Sequence, residues 1–298
     1  MTYRSLHFSL LLTVVVGLAL SGCSTPPPPP LAAPTQIPQP LLPATSQEGM
    51  PTIWPADAPP IYAQSAILIN ARNGRVLYQK NADTERPVAS TQKLLTALIV
   101  AENGNLDDLV TIQNSETHVE PIKLGMRAGE KYPRRTLLQV MMVKSANDVA
   151  AALARDYSGS ESAFVTTMND TARRLGATSS YFLNPHGLPS PQHSTARDMA
   201  RIAFRAYRNV DLRKMMLVQE MYFRFNNGKV TRLKATNDLL KKSPAFTGMK
   251  TGYTVSSGRC LITSANLNGK EFILVQLGSK TKYIFDDAER LILWAANQ

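Results

Sequence analysis

The sequence predicts an α+β domain built around one antiparallel sheet. Two segments of alternating apolar residues, 64–70 and 75–80, open the globular part, and three more lie between residues 246 and 277. The long stretch between these groups has the 3.6-residue period of helices. Both ends of the domain are therefore expected to build the sheet, with a helical subdomain at about 101–244 inserted between its halves.

Asn-Gly pairs mark the turns between the predicted strands. Asn73-Gly74 separates the first two strands and Asn268-Gly269 joins the last two, and such pairs accept the positive φ of tight hairpins. A third hairpin, over residues 221–233, is predicted around Asn227-Gly228. The last three strands are expected at Phe246 to Thr254, Arg259 to Asn266 and Glu271 to Leu277.

Helical periodicity dominates the inserted segment and returns at the chain end. Ser160 and Thr195 each precede a periodic stretch and are predicted N-caps, because a hydroxyl there accepts a backbone N–H. The helices are expected at 136–144, 146–157, 160–175, 195–207 and 283–296.

The first candidate for chemistry opens a helix that is apolar on nearly every side, which is typical of a buried helix. Ser90 follows Pro87 at the expected N-terminus, and Lys93 lies one turn further on the same face. Burial and the positive end of the helix both lower the pKa of an ammonium group. A lysine in that state can take a proton from serine, so the pair predicts a Ser-Lys acyl enzyme.

Residues 1–23 have the pattern of an export signal, with a basic residue before a short apolar core. Its ending, Leu20-Ser-Gly-Cys23, resembles a bacterial lipoprotein signal. This resemblance implies cleavage before Cys23, lipidation of its thiol and membrane attachment through the lipid, and Ser24 fits the outer-membrane class. The alternative is an ordinary signal peptide with a chance cysteine.

Residues 24–60 hold 13 of the 20 prolines and predict an extended, disordered linker. It could reach on the order of 100 Å from a bilayer, or it could be a spacer with no length requirement. Residues 61–298 are then the catalytic domain, which is long enough for one core.

Composition narrows the functional classes. The formal net charge of +11 comes from scattered basic pairs without a nucleic-acid recognition motif, so an anionic cell envelope is a better partner than nucleic acid. Cys260 lies in an apolar stretch and is expected to be a small buried hydrophobe. No His, Cys or carboxylate spacing suggests a metal, and no cofactor is implied.

Two further motifs follow the Ser90 helix. Ser145-x-Asn147 falls between two predicted helices and Lys250-Thr-Gly252 on a predicted strand. A lone S-x-x-K is expected about once by chance in such a chain, and a second one exists at Ser279-Lys282. The order and context of the three motifs are what make them specific.

The spacing within each motif is physically reasonable. In an extended loop Ser145 and Asn147 point the same way and can face one cleft. Lys250 and Gly252 are likewise two apart on their strand, and Gly252 would let a substrate backbone approach the strand edge. Thr251 adds a hydroxyl near that edge.

Together the three motifs resemble those of the low-molecular-mass penicillin-binding proteins, the D-alanyl-D-alanine carboxypeptidases and endopeptidases. Segments 184–188 and 193–199 also resemble that family. The resemblance covers residues 61–298 and implies a β-lactamase/transpeptidase-like fold, peptidoglycan stem peptides as substrates and β-lactams as covalent inhibitors. The lipoprotein signal adds a location in the bacterial envelope facing the periplasm, and neither a metal nor a cofactor is expected.

The resemblance assigns roles residue by residue. Ser90 would be the acylated nucleophile and Lys93 its base, while Ser145 with Lys250 would pass a proton to the departing amine. The substrate would contact Asn147, Thr251 and Gly252, and the oxyanion hole would be formed by the backbone N–H groups of Ser90 and Tyr253.

One departure from the carboxypeptidase pattern concerns substrate carboxylate recognition. Those enzymes often carry an arginine after the K-T-G strands, but residues 278–289 contain only Lys280 and Lys282 as cations. Arginine is the better bidentate partner for a carboxylate. The segment Ser257-Gly-Arg-Cys-Leu261 resembles the endopeptidase branch instead.

Three alternatives stay open. His186 and His193 could be general bases, although a Ser-Lys pair needs none, so a structural role is expected. A class A β-lactamase needs a glutamate to activate water, and the candidates, Glu161 and Glu220, are not in the loop expected of that family. A non-catalytic peptidoglycan-binding lipoprotein could use the same fold.

Overall fold

The computed structural model describes residues 53–298. The predicted signal, Cys23 and most of the predicted linker lie outside the described residues. The strands are β1 (Ile53–Trp54), β2 (Ser65–Asn70), β3 (Val76–Lys80), β4 (Leu109–Thr111), β5 (Lys131–Pro133), β6 (Glu220–Arg224), β7 (Val230–Lys234), β8 (Phe246–Thr254), β9 (Gly258–Leu267) and β10 (Lys270–Ser279). The helices are α1 (Lys93–Asn103), α2 (Arg134–Lys144), α3 (Asn147–Ser158), α4 (Glu161–Arg174), α5 (Ala196–Arg208), α6 (Val210–Met216), α7 (Leu239–Lys242) and α8 (Ile284–Ala296).

The main sheet joins both ends of the described chain, as the sequence predicts. Its six strands have the order β1-β3-β2-β10-β9-β8, and every neighbouring pair is antiparallel. The last strand, β8, is therefore an edge strand with one free side. That side can pair with an extended peptide.

Side-chain alternation along the central strands divides the core into two layers. On β2, Ile67 and Ile69 face the helices, whereas Ala66 and Leu68 face α8. The same alternation occurs on β10 and β9. Because apolar residues occupy both faces, the sheet is buried between α8 and the helical subdomain.

The core of the helical subdomain is α1, in which every residue from 93 to 100 is buried. This confirms the buried helix that its apolar sequence predicts. Lys93 is the charged residue among these eight, and because a buried charge is costly its place at the start of the helix points to a chemical role rather than to packing.

Predicted N-caps and hairpins are confirmed. The hydroxyl of Ser160 accepts the N–H of Ala163 at 3.1 Å, and that of Thr195 accepts the N–H of Asp198 at 3.0 Å. β6 and β7 form the third hairpin, which includes Gly228 at φ 85°.

Two short ladders were not expected from the sequence. Strand β1 lies inside the segment predicted as linker and pairs with Lys80 and Gln79 of β3. Strands β4 and β5 pair within the segment expected to be mostly helical. Two or three residues are too few to show a period of two, so only the pairing partner reveals such strands.

Candidate active site

Ser90 lies on a 3-10 turn, residues 89–92, that leads directly into α1. Strand β8 passes very close to this turn. A β-carbon at position 252 would lie 2.9 Å from Ser90 N and 3.0 Å from Thr91 N. Gly252 is therefore required for the approach of the strand to the serine.

Lys93 is the first residue of α1 and is fully buried. Its Nζ donates to Ser90 Oγ at 3.0 Å, to Asn147 Oδ1 at 2.6 Å and to the carbonyl oxygen of His186. In the neutral form of the amine, its two N–H groups can serve Asn147 Oδ1 and the His186 carbonyl oxygen, which leaves the lone pair for the Ser90 hydroxyl. The amine is thus held against the serine hydroxyl in one orientation.

The protonation of Lys93 is shifted toward the neutral form. Burial is the largest cause and holds the pKa of its amine well below the usual 10.5. The positive charge of Lys250 lowers the pKa further, while Asp148 raises it. A neutral amine 3.0 Å from Ser90 Oγ can accept the hydroxyl proton.

Ser145 and Asn147 flank the junction between α2 and α3. They were expected on an extended loop, but Ser145 ends α2 in the left-handed region with φ 65°, and only Ala146 is extended. Asn147 is the first residue of α3. The left-handed Ser145 followed by the extended Ala146 places the two side chains, so strand-like alternation is not what aligns them.

Lys250 brings β8 into the same cluster. Its fully buried Nζ donates to Ser145 Oγ at 2.8 Å and to the carbonyl oxygen of Thr251 at 2.9 Å. Burial lowers the pKa of this amine to about 7, and the charge of Arg259 contributes. Ser145 therefore has a proton donor of near-neutral pKa as its neighbour.

The remaining predicted residues of β8 line the strand edge. Thr251 is buried, and its hydroxyl donates to Thr236 Oγ1 at 2.6 Å. Tyr253 has a 56% exposed side chain beside the site. Thr236, in the connection before α7, carries no motif, and no sequence signal could have identified it.

A loop at 184–188 closes the site from the side of α1. The carbonyl oxygen of Asn184 accepts Gln92 Nε2 at 2.5 Å, that of Pro185 accepts Thr96 Oγ1 at 2.7 Å, and that of His186 accepts Lys93 Nζ. Three consecutive backbone carbonyls thus bind the 3-10 turn and the first turn of α1. This segment was identified from the sequence by its resemblance to the family, but its role at the site was not predicted. Pro185 and Gly187 were the signals in the sequence that could have indicated it.

Asp148 follows Asn147 in α3 and supports the site, a role that the sequence did not predict. Its buried carboxylate accepts the N–H groups of Leu124 and Gly125, each at 2.9 Å. In the same loop, the carbonyl oxygen of Ile122 accepts the N–H of Asn147 at 2.6 Å. Burial raises the pKa of Asp148, and these backbone donors oppose the rise.

The two histidines of the loop region contact glutamates. His186 Nε2 lies 3.5 Å from Glu161 Oε1, and burial lowers the pKa of the His186 ring. His193 Nε2 lies 3.6 Å from Glu85 Oε2. Only the backbone carbonyl of His186 reaches the Ser90 cluster, which favours the structural role expected for both rings.

Cys260 is fully buried on β9, and burial raises the pKa of its thiol to about 11. Such a thiol is a poor nucleophile at neutral pH. Its position beside the site is a packing position, as the sequence predicts.

Comparison with known proteins agrees with this geometry. The family model described as D-alanyl-D-alanine carboxypeptidase, peptidase S11, matches residues 54–281. The chain belongs to this family. The resemblance to the D-alanyl-D-alanine carboxypeptidases and endopeptidases is thereby confirmed. The expected penicillin-binding type of α+β fold is confirmed by the solved DD-transpeptidase structure on which this chain superposes.

Individual S11 relatives carry several activities in their names. The chain is 34% identical to a D-alanyl-D-alanine endopeptidase of Pseudomonas aeruginosa over 235 residues, covering 77% of this chain and 76% of that protein. It is 34% identical to the carboxypeptidase DacF of Bacillus subtilis over 225 residues, covering 74% of this chain and 58% of that one. The crystal structure of the Streptomyces K15 DD-transpeptidase superposes with a TM-score of 0.77 at 29% identity, covering 82% of this chain and all of that one.

Between residues 53 and 298, no cluster of three or more His, Cys, Asp or Glu side chains could hold a metal ion. Over the same range no helix has the length and hydropathy needed to cross a membrane.

Proposed function

We propose that this chain is a serine D,D-peptidase that cleaves D-alanyl bonds of peptidoglycan stem peptides or cross-links through a Ser90 acyl-enzyme. The observation that carries this proposal is the 3.0 Å contact between Lys93 Nζ and Ser90 Oγ. Burial keeps that amine close to its neutral form, so it can act as the base that a serine nucleophile needs.

Acylation follows from the positions of the side chains. Ser90 Oγ gives its proton to Lys93 Nζ and attacks the carbonyl carbon of the D-alanyl residue. The carbonyl oxygen becomes an oxyanion facing the backbone N–H groups of Ser90 and Tyr253. When the C–N bond breaks, the amine takes a proton from Ser145 Oγ, which Lys250 Nζ replaces across their 2.8 Å hydrogen bond.

Deacylation reverses the roles with water as the nucleophile. As water attacks the ester carbonyl, its proton passes through Ser145 Oγ to Lys250 Nζ, which acylation left neutral. Ser90 Oγ then leaves with the proton that Lys93 Nζ took from it during acylation. The acid product then dissociates. Throughout, Asn147 Oδ1 holds Lys93 at 2.6 Å, which keeps the base in place while its charge changes.

Substrate binding uses the free edge of β8. An extended peptide can add to this edge as a further strand, since among the described strands β8 pairs with β9 alone. Gly252 permits close approach of the backbone, while Thr251 and the Asn147 amide supply polar contacts. The same groups would bind β-lactams, which acylate Ser90 without rapid release.

Covalent labelling tests the nucleophile. Ser90→Ala should abolish labelling by a fluorescent penicillin, because between residues 53 and 298 the nucleophilic side chain that the Lys93 amine contacts is that of Ser90. Ser279→Ala is the matched control, since Ser279 begins the second S-x-x-K and should keep its label. Label that survives Ser90→Ala would place the nucleophile elsewhere, and an unlabelled parent protein would favour the non-catalytic binding function.

Muropeptide chromatography tests the reaction. The purified protein is incubated with pentapeptide monomers and cross-linked dimers, with Ser90→Ala as the control. Free D-alanine with intact dimers would identify a carboxypeptidase, and conversion of dimers to monomers an endopeptidase. No change in either would overturn the proposal.

The class A β-lactamase alternative requires a residue that the peptidase function does not. It needs a carboxylate that activates water at the acyl-enzyme, but the Glu161 carboxylate contacts His186 and the Glu220 carboxylate pairs with Arg232. Turnover of nitrocefin is therefore expected to be slow. Hydrolysis at enzymatic rates would restore that alternative.

For location we propose a lipoprotein of the bacterial envelope, anchored through Cys23, facing the periplasm and sorted to the outer membrane. The support is the sequence ending at Cys23 and the cell-wall chemistry named for the S11 relatives. Cys23→Ala should move the protein from the membrane fraction to the supernatant. A variant that still fractionates with membranes would contradict lipid anchoring.

A further inference from the structure

The β6–β7 hairpin turns one of its two faces toward solvent. Strand pairing places six residues on this outer face, in three opposite pairs: Glu220 and Lys234, Tyr222 and Arg232, and Arg224 and Val230. The residues between them, such as Phe223 and Leu233, are buried in the core of the helical subdomain. We call the six outward residues the hairpin face. Tyr222, at its centre, is 66% exposed.

The hairpin face is positively charged. Its one anion, Glu220, is already paired with Arg232. Arg224 and Lys234 are exposed, and neither takes part in an ion pair between residues 53 and 298. Arg224 lies two residues from Tyr222 on the same strand, and Lys234 is its diagonal neighbour on the other side. An exposed aromatic ring therefore lies between two cations that can bind an anionic partner.

The hairpin face begins at the rim of the active site. Strand β7 ends at Lys234, and Thr236, two residues later, accepts the Thr251 hydroxyl of the K-T-G strand at 2.6 Å. Two residues span at most about 7 Å, and the length of β7 from Val230 to Lys234 is about 13 Å. A molecule bound on the hairpin face would therefore lie next to the β8 edge and still be outside the Ser90 cluster.

We propose that the hairpin face binds the peptidoglycan polymer beside the stem peptide that is being cleaved. The inference rests on the proposed function and adds a binding surface, outside the Ser90 site, for the same substrate. Stem peptides carry free carboxylate groups, which the cations Arg224 and Lys234 match in charge. The sugar rings of the glycan strand have apolar faces, and the Tyr222 ring offers a flat apolar surface with a polar end.

A second contact of this kind affects polymers and small peptides differently. When the hairpin face holds a glycan strand, the stem peptides nearby meet Ser90 at a raised effective concentration. A soluble stem peptide reaches only the Ser90 site and gains nothing from the hairpin face. The hairpin face is therefore expected to favour polymeric over monomeric substrates.

An anionic membrane surface is the competing partner for this face. Elements that lie on membranes insert a broad apolar surface among the lipids, whereas the hairpin face offers Tyr222 and Val230 as its exposed apolar residues. Its position at the rim of the active site also favours a partner that must reach Ser90. Both observations favour the polymer.

Co-sedimentation with purified peptidoglycan sacculi tests the hairpin face. The full chain is used in detergent and carries Ser90→Ala, so that binding is measured without cleavage. Adding Arg224→Gln with Lys234→Gln should weaken binding about three- to tenfold, the value of two exposed charge contacts. Binding without these two changes should weaken as salt is added. Tyr222→Ala should weaken binding as well, and Tyr222→Phe should retain most of it.

Arg75→Gln with Lys270→Gln is the matched control. It removes one exposed arginine and one exposed lysine, which lie at the end of the main sheet away from Gly252. This variant should bind sacculi like the parent. With Ser90 restored, both double variants should react with penicillin and cleave a soluble pentapeptide at the parent rate. The Arg224 and Lys234 variant alone should cleave sacculi about three- to tenfold more slowly at low substrate concentration.

The outcomes separate this inference from the proposed function. If the Arg224 and Lys234 variant binds sacculi like the parent, or if the matched control loses as much binding, the inference is wrong while the peptidase function stands. It is also wrong if that variant loses binding only to vesicles of anionic phospholipid, or if its penicillin labelling slows as much as its cleavage of sacculi. The proposed function fails separately, if the parent cleaves neither substrate and penicillin does not label Ser90.

Discussion

Two buried amines define the site at the scale of single residues. Lys93 contacts Ser90 and Asn147, whereas Lys250 contacts Ser145. Each lies in a place where an ammonium ion loses most of its hydration, and the charge of Lys250 lowers the pKa of Lys93 further. The fold therefore favours a neutral Lys93, as required of a base, while Lys250, with a pKa of about 7, can still hold a proton.

The pH profile of acylation follows from these pKa shifts. If Lys250 supplies the proton for the leaving nitrogen, it must be protonated, and with a pKa of about 7 its protonated fraction falls as the pH rises through neutrality. The second-order rate of penicillin acylation should therefore decline on the alkaline side with an apparent pKa near 7. Stopped-flow labelling between pH 5 and about 10 measures this limb.

The variant Lys250→Arg tests this role of Lys250 directly, because a guanidinium group stays protonated over the whole pH range of the experiment. The alkaline decline should vanish in this variant even if the absolute rate is lower. The exposed Lys282→Arg should leave the profile of the parent unchanged. A parent profile that keeps rising above pH 8 would contradict the assigned role of Lys250.

At the scale of elements, the site depends on how loops meet helix ends. The 184–188 loop binds the start of α1 through consecutive carbonyl oxygens. Gly187, at φ 82°, lets the loop press against the turn that carries Ser90, because a β-carbon there would lie 2.2 Å from the carbonyl oxygen of Ala89. The loop thus sets the position of both Ser90 and the third acceptor of Lys93.

Gly187→Ala should move this loop away from α1. A left-handed alanine costs about 1–2 kcal/mol in itself, and the clash with Ala89 adds to it and displaces the His186 carbonyl. We expect a lower melting temperature and at least a roughly tenfold slower penicillin acylation, since a displaced base loses much of its effect. Thermal denaturation and labelling rates measure the two effects.

Gly228→Ala is the matched control for this substitution. Gly228 has nearly the same φ, 85°, but a β-carbon there meets no atom within 4 Å. It should lose only the conformational cost, with acylation as in the parent. Equal acylation rates for the two variants would show that the loop does not position the site.

At the scale of the whole molecule, both ends of the described chain share one sheet. Strand β1 pairs with β3, and the carbonyl oxygen of Pro60 accepts Arg290 Nη2 from α8 at 2.9 Å. The segment 53–60, predicted as the end of the linker, therefore contacts elements from both ends of the domain. The residue at which the folded unit begins can therefore be found by truncating the chain.

Two truncations locate that start. A chain beginning at Ile53 should melt like one beginning after Cys23, whereas a chain beginning at Ile61 loses β1 and the Pro60 contact. Each lost hydrogen bond is worth about 1 kcal/mol, so a drop of several degrees is expected for a domain of this size. Identical melting temperatures for all three would support the boundary at residue 61 that the sequence predicts.

Much of this protein could be predicted from local sequence. The apolar period of two on β8, β9 and β10, the uniformly apolar α1 and the hydroxyl caps at Ser160 and Thr195 each act over a few residues. They therefore determine their elements without reference to the rest of the chain. The three motifs likewise identified the residues that meet at Ser90, since their order and context restrict which elements can carry them.

Only the tertiary structure decided how distant groups meet. The His186 carbonyl at Lys93, the Asp148 carboxylate under the 124–125 backbone and the Thr236 hydroxyl on Thr251 are contacts between segments far apart in the chain. Arg259 lies opposite Tyr253 only because β8 and β9 pair in one register. Backbone groups and strand register leave no pattern in side-chain periodicity, so their part in the site emerges only when the chain has folded.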